Sequence, residues 1–165
     1  MFYTDFINLP EYEQKKVNII EFEEGTKIIE DNALSKFENI KSIIIPQSVE
    51  KICDNAFAFT GIKKLILPDS IKTIGGCICY GCNNLRFAKI PSNIEKFGNF
   101  NFAFCNNLEK IIFKDRSFKE EAFLDAYLMN GDKDFSDEIT LDELLELGVP
   151  FKNVNEILKN VNVER

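Results

Sequence analysis

The residues in this sequence best suited to chemistry are cysteines, three of which crowd into the short segment CICYGC that begins at Cys77. The five cysteines of the chain are Cys53, Cys77, Cys79, Cys82 and Cys105. Thiolates this close together could bind zinc, but a structural zinc site usually carries two CxxC pairs or completes its ligand set with histidine. The chain contains no histidine. We therefore predict no metal site here and interpret the cysteines as reduced thiols that pack in the core as small apolar side chains.

A second group with metal-binding chemistry is the acidic segment DKDFSDEITLDE, from Asp132 to Glu143. It is similar to the calcium-binding loop of an EF-hand, with oxygen ligands implied at Asp132, Asp134, Ser136, Thr140 and Glu143. Asp137, however, stands where that loop needs a glycine for its sharp turn, and Gly131 precedes the loop where an aromatic residue is preferred. An acidic loop that ends in a helix cap is the alternative. We predict no cofactor and keep Ca2+ at this loop as the alternative.

The usual residues of an active site are missing. No histidine is available as a general base, and the sequence shows neither a phosphate-binding glycine loop nor a GxSxG motif. No thiol stands beside a credible base, and the aspartates and glutamates show no spacing that would place two of them across a cleft. We predict that the chain is not an enzyme.

The elements that must position any site are three successive copies of one twenty-three-residue pattern. The copies are KSIIIPQSVEKICDNAFAFTGI from Lys41, KKLILPDSIKTIGGCICYGCNNL from Lys63, and RFAKIPSNIEKFGNFNFAFCNNL from Arg86. The copy from Lys41 lacks one residue, between Gly61 and Ile62. A weaker copy begins at Asn18, and a partial copy follows from Glu109. Because the apolar residues recur at the same positions of every copy, the sequence predicts four stacked turns and a final strand.

Each copy begins with alternating apolar residues, typical of a half-buried strand, and a proline then ends the strand. The remainder of the copy mixes single apolar residues with Gly, Asn and Asp and predicts an irregular return. These units resemble the BspA-type leucine-rich repeat, on the segments LPDSIKTIG from Leu67, NAFAFTGI from Asn55 and GCNNL from Gly81. The resemblance covers residues 18 to 115 and implies a solenoid. Its Ala-Phe pair is replaced by Ile78-Cys79 and by Asn101-Phe102.

We therefore expect an α+β repeat protein, a short leucine-rich-repeat solenoid with a parallel β-sheet face. Residues 1 to 17 would form an N-terminal cap, and residues 18 to 115 the solenoid. Residues 116 to 165 leave the repeat pattern, and their apolar residues recur at helical spacing, as in RSFKEEAFLDAYLM from Arg116. This last segment is predicted to be a C-terminal helical cap or a small helical subdomain.

The predicted strands present two positions of each copy, the second and the fourth, to solvent. These positions carry an apolar strip of Ile44, Ile66, Phe87 and Ile112, with Lys64, Lys89 and Lys110 around it. Contiguous exposed apolar residues beside basic ones are typical of a protein-binding surface. The alternatives are that the protein's own tail covers the strip or that single apolar residues are merely exposed. We predict a partner-binding site at these seven residues.

The remaining composition limits the function classes. A net charge of −7 argues against general affinity for nucleic acids or anionic membranes. The N-terminal residues lack the apolar run of a secretion signal, so we expect a cytoplasmic protein. The leading hypothesis is a non-enzymatic module that binds a partner protein, as an inhibitor or a scaffold. The alternatives are a homo-oligomeric structural protein, such as a homodimer, and an acidic decoy that blocks a nucleic-acid-binding enzyme.

Overall fold

The repeats coil into a β-solenoid whose short strands form parallel sheets on two sides. The structure, a computed structural model, describes residues 1–91 and 94–113. One strand lies at the start of each copy, and these are the front strands: β1 (Ile19–Glu21), β3 (Ser42–Ile44), β5 (Lys64–Ile66), β7 (Phe87–Ile90) and β9 (Lys110–Phe113). A second strand lies farther along each copy, and these form the back sheet: β2 (Ile28–Ile29), β4 (Lys51–Ile52), β6 (Thr73–Ile74) and β8 (Lys96–Phe97). From β2 to β8 the chain completes three turns.

The repeat sets the strand register. In the front strands Ile20 pairs with Ile43, and Ala88 pairs with both Leu65 and Ile111, so residues at the same repeat position lie side by side. Alternate residues of a strand point to opposite faces, which sends the third and fifth positions of each copy inward. The inward column therefore becomes one continuous core, as the sequence predicts, although no single copy could bury its apolar residues alone.

The core is mainly aliphatic, with buried phenylalanine rings at one position of the return. Phe57 and Phe102, at the same repeat position, are completely buried, and Cys79 replaces the aromatic ring between them. Leu65 is only 2% exposed, whereas its neighbour Ile66 is 56% exposed. The two exposed fractions differ because adjacent residues of a strand point to opposite faces, one toward the core and one toward solvent.

The back sheet corrects the prediction of an irregular return. It is continuous across four strands, in the order β2-β4-β6-β8. Each strand contains two residues, too few for an alternating pattern to be visible in the sequence. The charged column Lys27, Glu50 and Lys72 runs beside this sheet, with Lys27 Nζ 3.0 Å and Lys72 Nζ 3.9 Å from the Glu50 carboxylate.

Two sharp bends per coil are made by residues with positive φ. At the fifteenth repeat position these are Asn32, Asn55, Cys77 and Phe100, and at the nineteenth Lys36, Phe59, Gly81 and Phe104. The left-handed conformation is costly for most side chains. Regular bonds between coils offset that cost: the N–H groups of Lys36, Phe59 and Gly81 each donate to a carbonyl of the next coil at 2.8 Å.

A ladder of side chains also joins the coils. The Asp31 carboxylate accepts a hydrogen bond from the Asp54 N–H at 2.9 Å, and the Asp54 carboxylate accepts one from the Gly76 N–H at 2.8 Å. These acidic residues therefore have a structural role, because each satisfies a backbone donor of the following coil.

The front strands are interrupted between β3 and β5, which lie farther apart than hydrogen-bonded neighbours. Elsewhere the fifth position of a copy donates to the next coil, as Phe22 N does to Ile44 O and Leu67 N to Lys89 O. The equivalent bond from Ile45 N to Ile66 O is absent from the bonds of the described chain. We call this interruption the front gap. It follows the copy that is one residue short.

The missing residue explains the front gap. The other copies carry asparagine at that position, Asn39, Asn84 and Asn107. Asn107 Nδ2 donates to the Asn83 carbonyl of the preceding coil at 2.6 Å, which ties two coils together at the edge of the front strands. In the short copy this asparagine is lost, and Lys41 Nζ donates to the Glu38 carbonyl instead, at 2.7 Å.

Residues 1 to 17 pack on the first coil through α1 (Tyr3–Ile7) and α2 (Glu11–Gln14). Phe6 of α1 is fully buried, with its ring 4.9 Å from that of Phe37. The Met1 carbonyl accepts a hydrogen bond from Glu21 N at 2.9 Å. This segment covers apolar residues that the first coil would otherwise expose.

The segment predicted to be helical, residues 116 to 165, lies outside the described residues, together with the loop from Asp132 to Glu143. Within residues 1–91 and 94–113, no helix is long and apolar enough to cross a membrane.

Candidate interaction surface

The outer side of the front strands carries exposed isoleucines. Ile44 is 48% exposed and Ile66 is 56% exposed, and Ile19 on β1 is 51% exposed. The strands hold these side chains outward because their neighbours along the chain point into the core. Ile19 occupies the second, outward position of its copy but was not among the residues of the predicted apolar strip.

The predicted strip is a checkerboard rather than an unbroken column. Phe87 is half-buried and lies between Lys64 and Lys110 in the strand register, while Ile66 lies beside Lys89, which is also half-buried. The side chains of Lys110 and Ile112 are outside the description, although their strand β9 pairs with β7. The strip alternates because its apolar residue occupies the fourth repeat position in β3 and β5 but the second position in β7.

The front gap divides the same surface. Ile44 and Ile66 stand on opposite sides of it. Ile43 of β3 and Ile45, which follows this strand, are half-buried instead of fully buried. The exposed isoleucines therefore lie on two separate sheets, one on each side of the front gap, and not on one continuous sheet.

The basic residues around the strip differ in what they can offer to a partner. Lys63 and Lys64 are exposed. Arg86 instead forms an ion pair with Glu109, its Nε lying 2.8 Å from the carboxylate, and Lys41 is held by the Glu38 carbonyl. The positive charge beside Ile66 is therefore more available than the charge at either end of the surface.

Four of the cysteines are in the core, at Cys53, Cys79, Cys82 and Cys105. Burial raises the pKa of the Cys79 thiol, and it likewise raises that of Cys105. Cys105 Sγ donates to the Cys79 carbonyl at 3.1 Å, and Cys82 Sγ donates to the Phe57 carbonyl at 3.1 Å. Burial therefore favours the neutral form of the Cys79 and Cys105 thiols, whereas a hydrogen bond with Cys79 lowers the pKa of the Cys82 thiol.

Cys77 departs from the prediction of a core thiol, because it is half-buried and has φ of 57°. It occupies a bend position, where asparagine stands in earlier coils. In the described part of the chain, no cluster of three His, Cys, Asp or Glu residues is placed to hold a metal ion.

Aromatic residues on the bends were not predicted from the sequence as a surface feature. They are the exposed Phe59, Phe100 and Phe104 and the half-buried Tyr80. Three of them are phenylalanines at positive φ. A signal for them was present in the sequence, because aromatic residues recur near positions fifteen to nineteen beside asparagine and glycine.

Comparison with known proteins places this architecture among repeat proteins. A family model described as the BspA type leucine-rich repeat region matches residues 6–129 in six copies, a range that extends beyond residues 18 to 115 at both ends. A search of the curated proteins found no match.

The solved structures that are similar to the chain include two leucine-rich repeat proteins. One is a leucine-rich repeat protein from Bacteroides ovatus ATCC 8483, at 30% identity and a TM-score of 0.57, over 60% of this chain and 26% of that chain. The other is the T. pallidum leucine-rich repeat protein, at 19% identity and a TM-score of 0.53, over 56% of this chain and 44% of that chain. The matched part of this chain thus spans less than half of either structure.

Proposed function

The chain belongs to the BspA-type leucine-rich repeat family, and from that premise we propose that it binds another protein through the outer face of its front strands. Stacked repeats build extended surfaces that proteins of this architecture use for binding. The observation that carries the proposal is the pair Ile44 and Ile66, both about half exposed on regular strands.

Exposed isoleucines on a strand favour a partner because two rigid apolar side chains lose little conformational entropy on binding. Each side chain buried against a partner contributes about 1.5–3 kcal/mol from removal of its apolar surface from water. Lys63 and Lys64 beside Ile66 favour a partner whose apolar contact residues are surrounded by acidic side chains. Binding of this kind suits an inhibitor or a scaffold.

The proposal is tested by capture from lysate with the tagged full chain and two charge variants, Ile44→Glu and Ile66→Glu. The matched control is Ile28→Glu on the back sheet, because the 45% exposed fraction of Ile28 is close to the 48% of Ile44. We expect one partner to be lost with both front variants and retained with the control. Retention of that partner by both front variants contradicts the proposal.

Light scattering on the same proteins separates the homodimer alternative. If the wild-type chain is a dimer that Ile66→Glu converts to a monomer, the front face joins two copies of this chain, and the proposal of a different partner is wrong.

A further inference from the structure

A second surface lies on the bends of the solenoid and is free of charge. The segments Asn55 to Gly61, Cys77 to Asn84 and Phe100 to Asn107 contain no charged residue, although 28% of the whole chain is charged. The equivalent segment of the first coil contains Lys36 and Glu38. We call the exposed side of these three segments the bend ridge.

Aromatic rings form a column along the bend ridge. The ring centroids of Phe59 and Tyr80 are 5.5 Å apart, and those of Tyr80 and Phe104 are 5.1 Å apart. Phe59 is 42% exposed and Phe104 is 39% exposed. Gly81 makes room for the column, because a Cβ atom on it would lie 2.6 Å from the Phe59 ring. The rings therefore pack against one another while keeping part of their surface in water.

The folding requirements of these positions do not explain the phenylalanines. Phe59, Phe100 and Phe104 have φ between 57° and 59°. The equivalent positions of other coils hold Asn32, Asn55, Gly81, Lys36 and Cys77. Of these residue types, asparagine and glycine adopt a left-handed backbone at lower cost. Each phenylalanine thus combines an unfavourable backbone conformation with an exposed aromatic ring. Strain of this kind concentrates at binding sites, where it is retained for function.

Exposed amide side chains follow the rings in sequence, Asn83 after Tyr80 and Asn106 after Phe104. Asn106 Nδ2 donates to Asn83 Oδ1 at 3.0 Å. Among the described residues, Asn83 Nδ2 and Asn106 Oδ1 carry no hydrogen bond from or to the protein, so this pair offers one donor group and one acceptor outward. This pair of amides can therefore donate a hydrogen bond to a hydroxyl group and accept one from a hydroxyl group, since a hydroxyl both donates and accepts.

We propose that the bend ridge binds a neutral carbohydrate chain. The faces of aromatic rings carry partial negative charge, which attracts the polarised C–H bonds of a sugar ring. The amides of Asn83 and Asn106 can form hydrogen bonds with sugar hydroxyls. Because the bend ridge contains no charged side chain, it does not attract an ionic ligand, and no charged group has to be desolvated when a neutral ligand binds. The exposed Phe59 and Phe104, which pack on either side of the half-buried Tyr80, suit separate sugar units of an extended chain.

The test is affinity electrophoresis of the full chain in native gels that contain hydroxyethylcellulose, galactomannan or xyloglucan, with the anionic polysaccharide alginate for comparison. The informative variant is Phe59→Asn with Phe104→Asn, because asparagine suits the positive φ of both positions and preserves the fold. Ile28→Asn on the back sheet is the matched control.

We expect at least one neutral polysaccharide to retard the wild-type chain and the Ile28→Asn control, with alginate causing no retardation. The double asparagine variant should bind at least roughly tenfold more weakly. The proposal is overturned if no neutral polysaccharide retards the wild-type chain, or if the double variant is retarded equally. It is also overturned if light scattering shows that the wild-type chain is a dimer and that the double asparagine variant is a monomer, because the bend ridge would then join two copies of the chain.

Discussion

Gly61 lies against the carbonyl oxygen of Glu38, so closely that a methyl group on its Cα would overlap that oxygen. This contact between Gly61 and Glu38 brings the end of the short copy against the preceding coil. Because one residue is missing just after Gly61, the chain enters β5 without reaching the edge of β3. The glycine contact and the front gap are therefore two effects of the same missing residue.

A side chain at Gly61 should destabilise the protein. Gly61→Ala would force the backbone of two coils apart, and we expect a loss of about 1–3 kcal/mol in the free energy of unfolding, measured by urea denaturation. Gly76→Ala is the control, because the nearest atom to its added Cβ is the Asn99 carbonyl oxygen at 3.3 Å. Equal effects of the two substitutions would show that the contact at Gly61 is not special.

Restoring the missing residue should close the front gap. Insertion of asparagine between Gly61 and Ile62 returns the copy to full length, and its amide can donate to the Glu38 carbonyl as Asn107 does to Asn83. We expect slower hydrogen exchange at the Ile45 N–H, which would gain the Ile66 carbonyl as acceptor. Amide exchange followed by NMR provides the measurement, and unchanged exchange at Ile45 would disprove this account of the gap.

Truncation of two adjacent residues of β5 should change the free energy of unfolding by very different amounts. Leu65→Ala removes a side chain that is 2% exposed and should cost about 2–5 kcal/mol. Ile66→Ala removes one that is 56% exposed and should change the free energy of unfolding by no more than about 0.5 kcal/mol. Chemical denaturation of both variants measures the difference. Similar losses would mean that the outer face is covered.

Acid should weaken the charged column beside the back sheet. A hydrogen bond from Lys27 lowers the pKa of the Glu50 carboxyl below its ordinary value of 4.5, helped by the charges of Lys27 and Lys72. A lowered pKa contributes stability above the ordinary value, and that contribution is lost as the pH falls through the lowered one. We expect Glu50→Gln to reduce the fall in melting temperature below about pH 4.5.

Added salt provides the control for this column. In about 1 M NaCl the wild-type protein should approach the Glu50→Gln variant in its acid response, because the charges are exposed and screened. A wild-type response that salt leaves unchanged would contradict the assignment to Glu50.

The cysteines should differ in reactivity. The half-buried Cys77 is expected to react first with iodoacetamide, whereas burial and the raised pKa of Cys79 and Cys105 should protect those thiols until the protein unfolds. Mass spectrometry of peptides from the native and urea-treated protein gives the order. Early modification of Cys79 would show that the core opens more readily than its packing indicates.

The inward column was predictable from the sequence because it depends on residue type at a fixed spacing. Ile20, Leu65 and Ala88 are buried for the reason that the repeat indicates, and the outward exposure of Ile44 and Ile66 follows from the same alternation. The same repeated spacing made it possible to predict the family and the solenoid fold from the sequence.

The back sheet and the front gap were not predictable in the same way. Two-residue strands such as Thr73–Ile74 carry no period of their own, and their pairing depends on how neighbouring coils stack. The missing residue at Gly61 was visible, but its consequence for β3 and β5 is a matter of three-dimensional geometry. The positive φ of Phe59 was hidden because phenylalanine is not a residue that signals a left-handed bend.

The front gap also decides how the molecule would yield to mechanical load. Between the second and third coils, tension along the axis is carried by β4 and β6 and by the bonds of the bends, while the front strands carry none. Fewer backbone hydrogen bonds therefore hold the second and third coils together than hold the first and second. Load that separates neighbouring coils along the axis would meet less resistance at this junction.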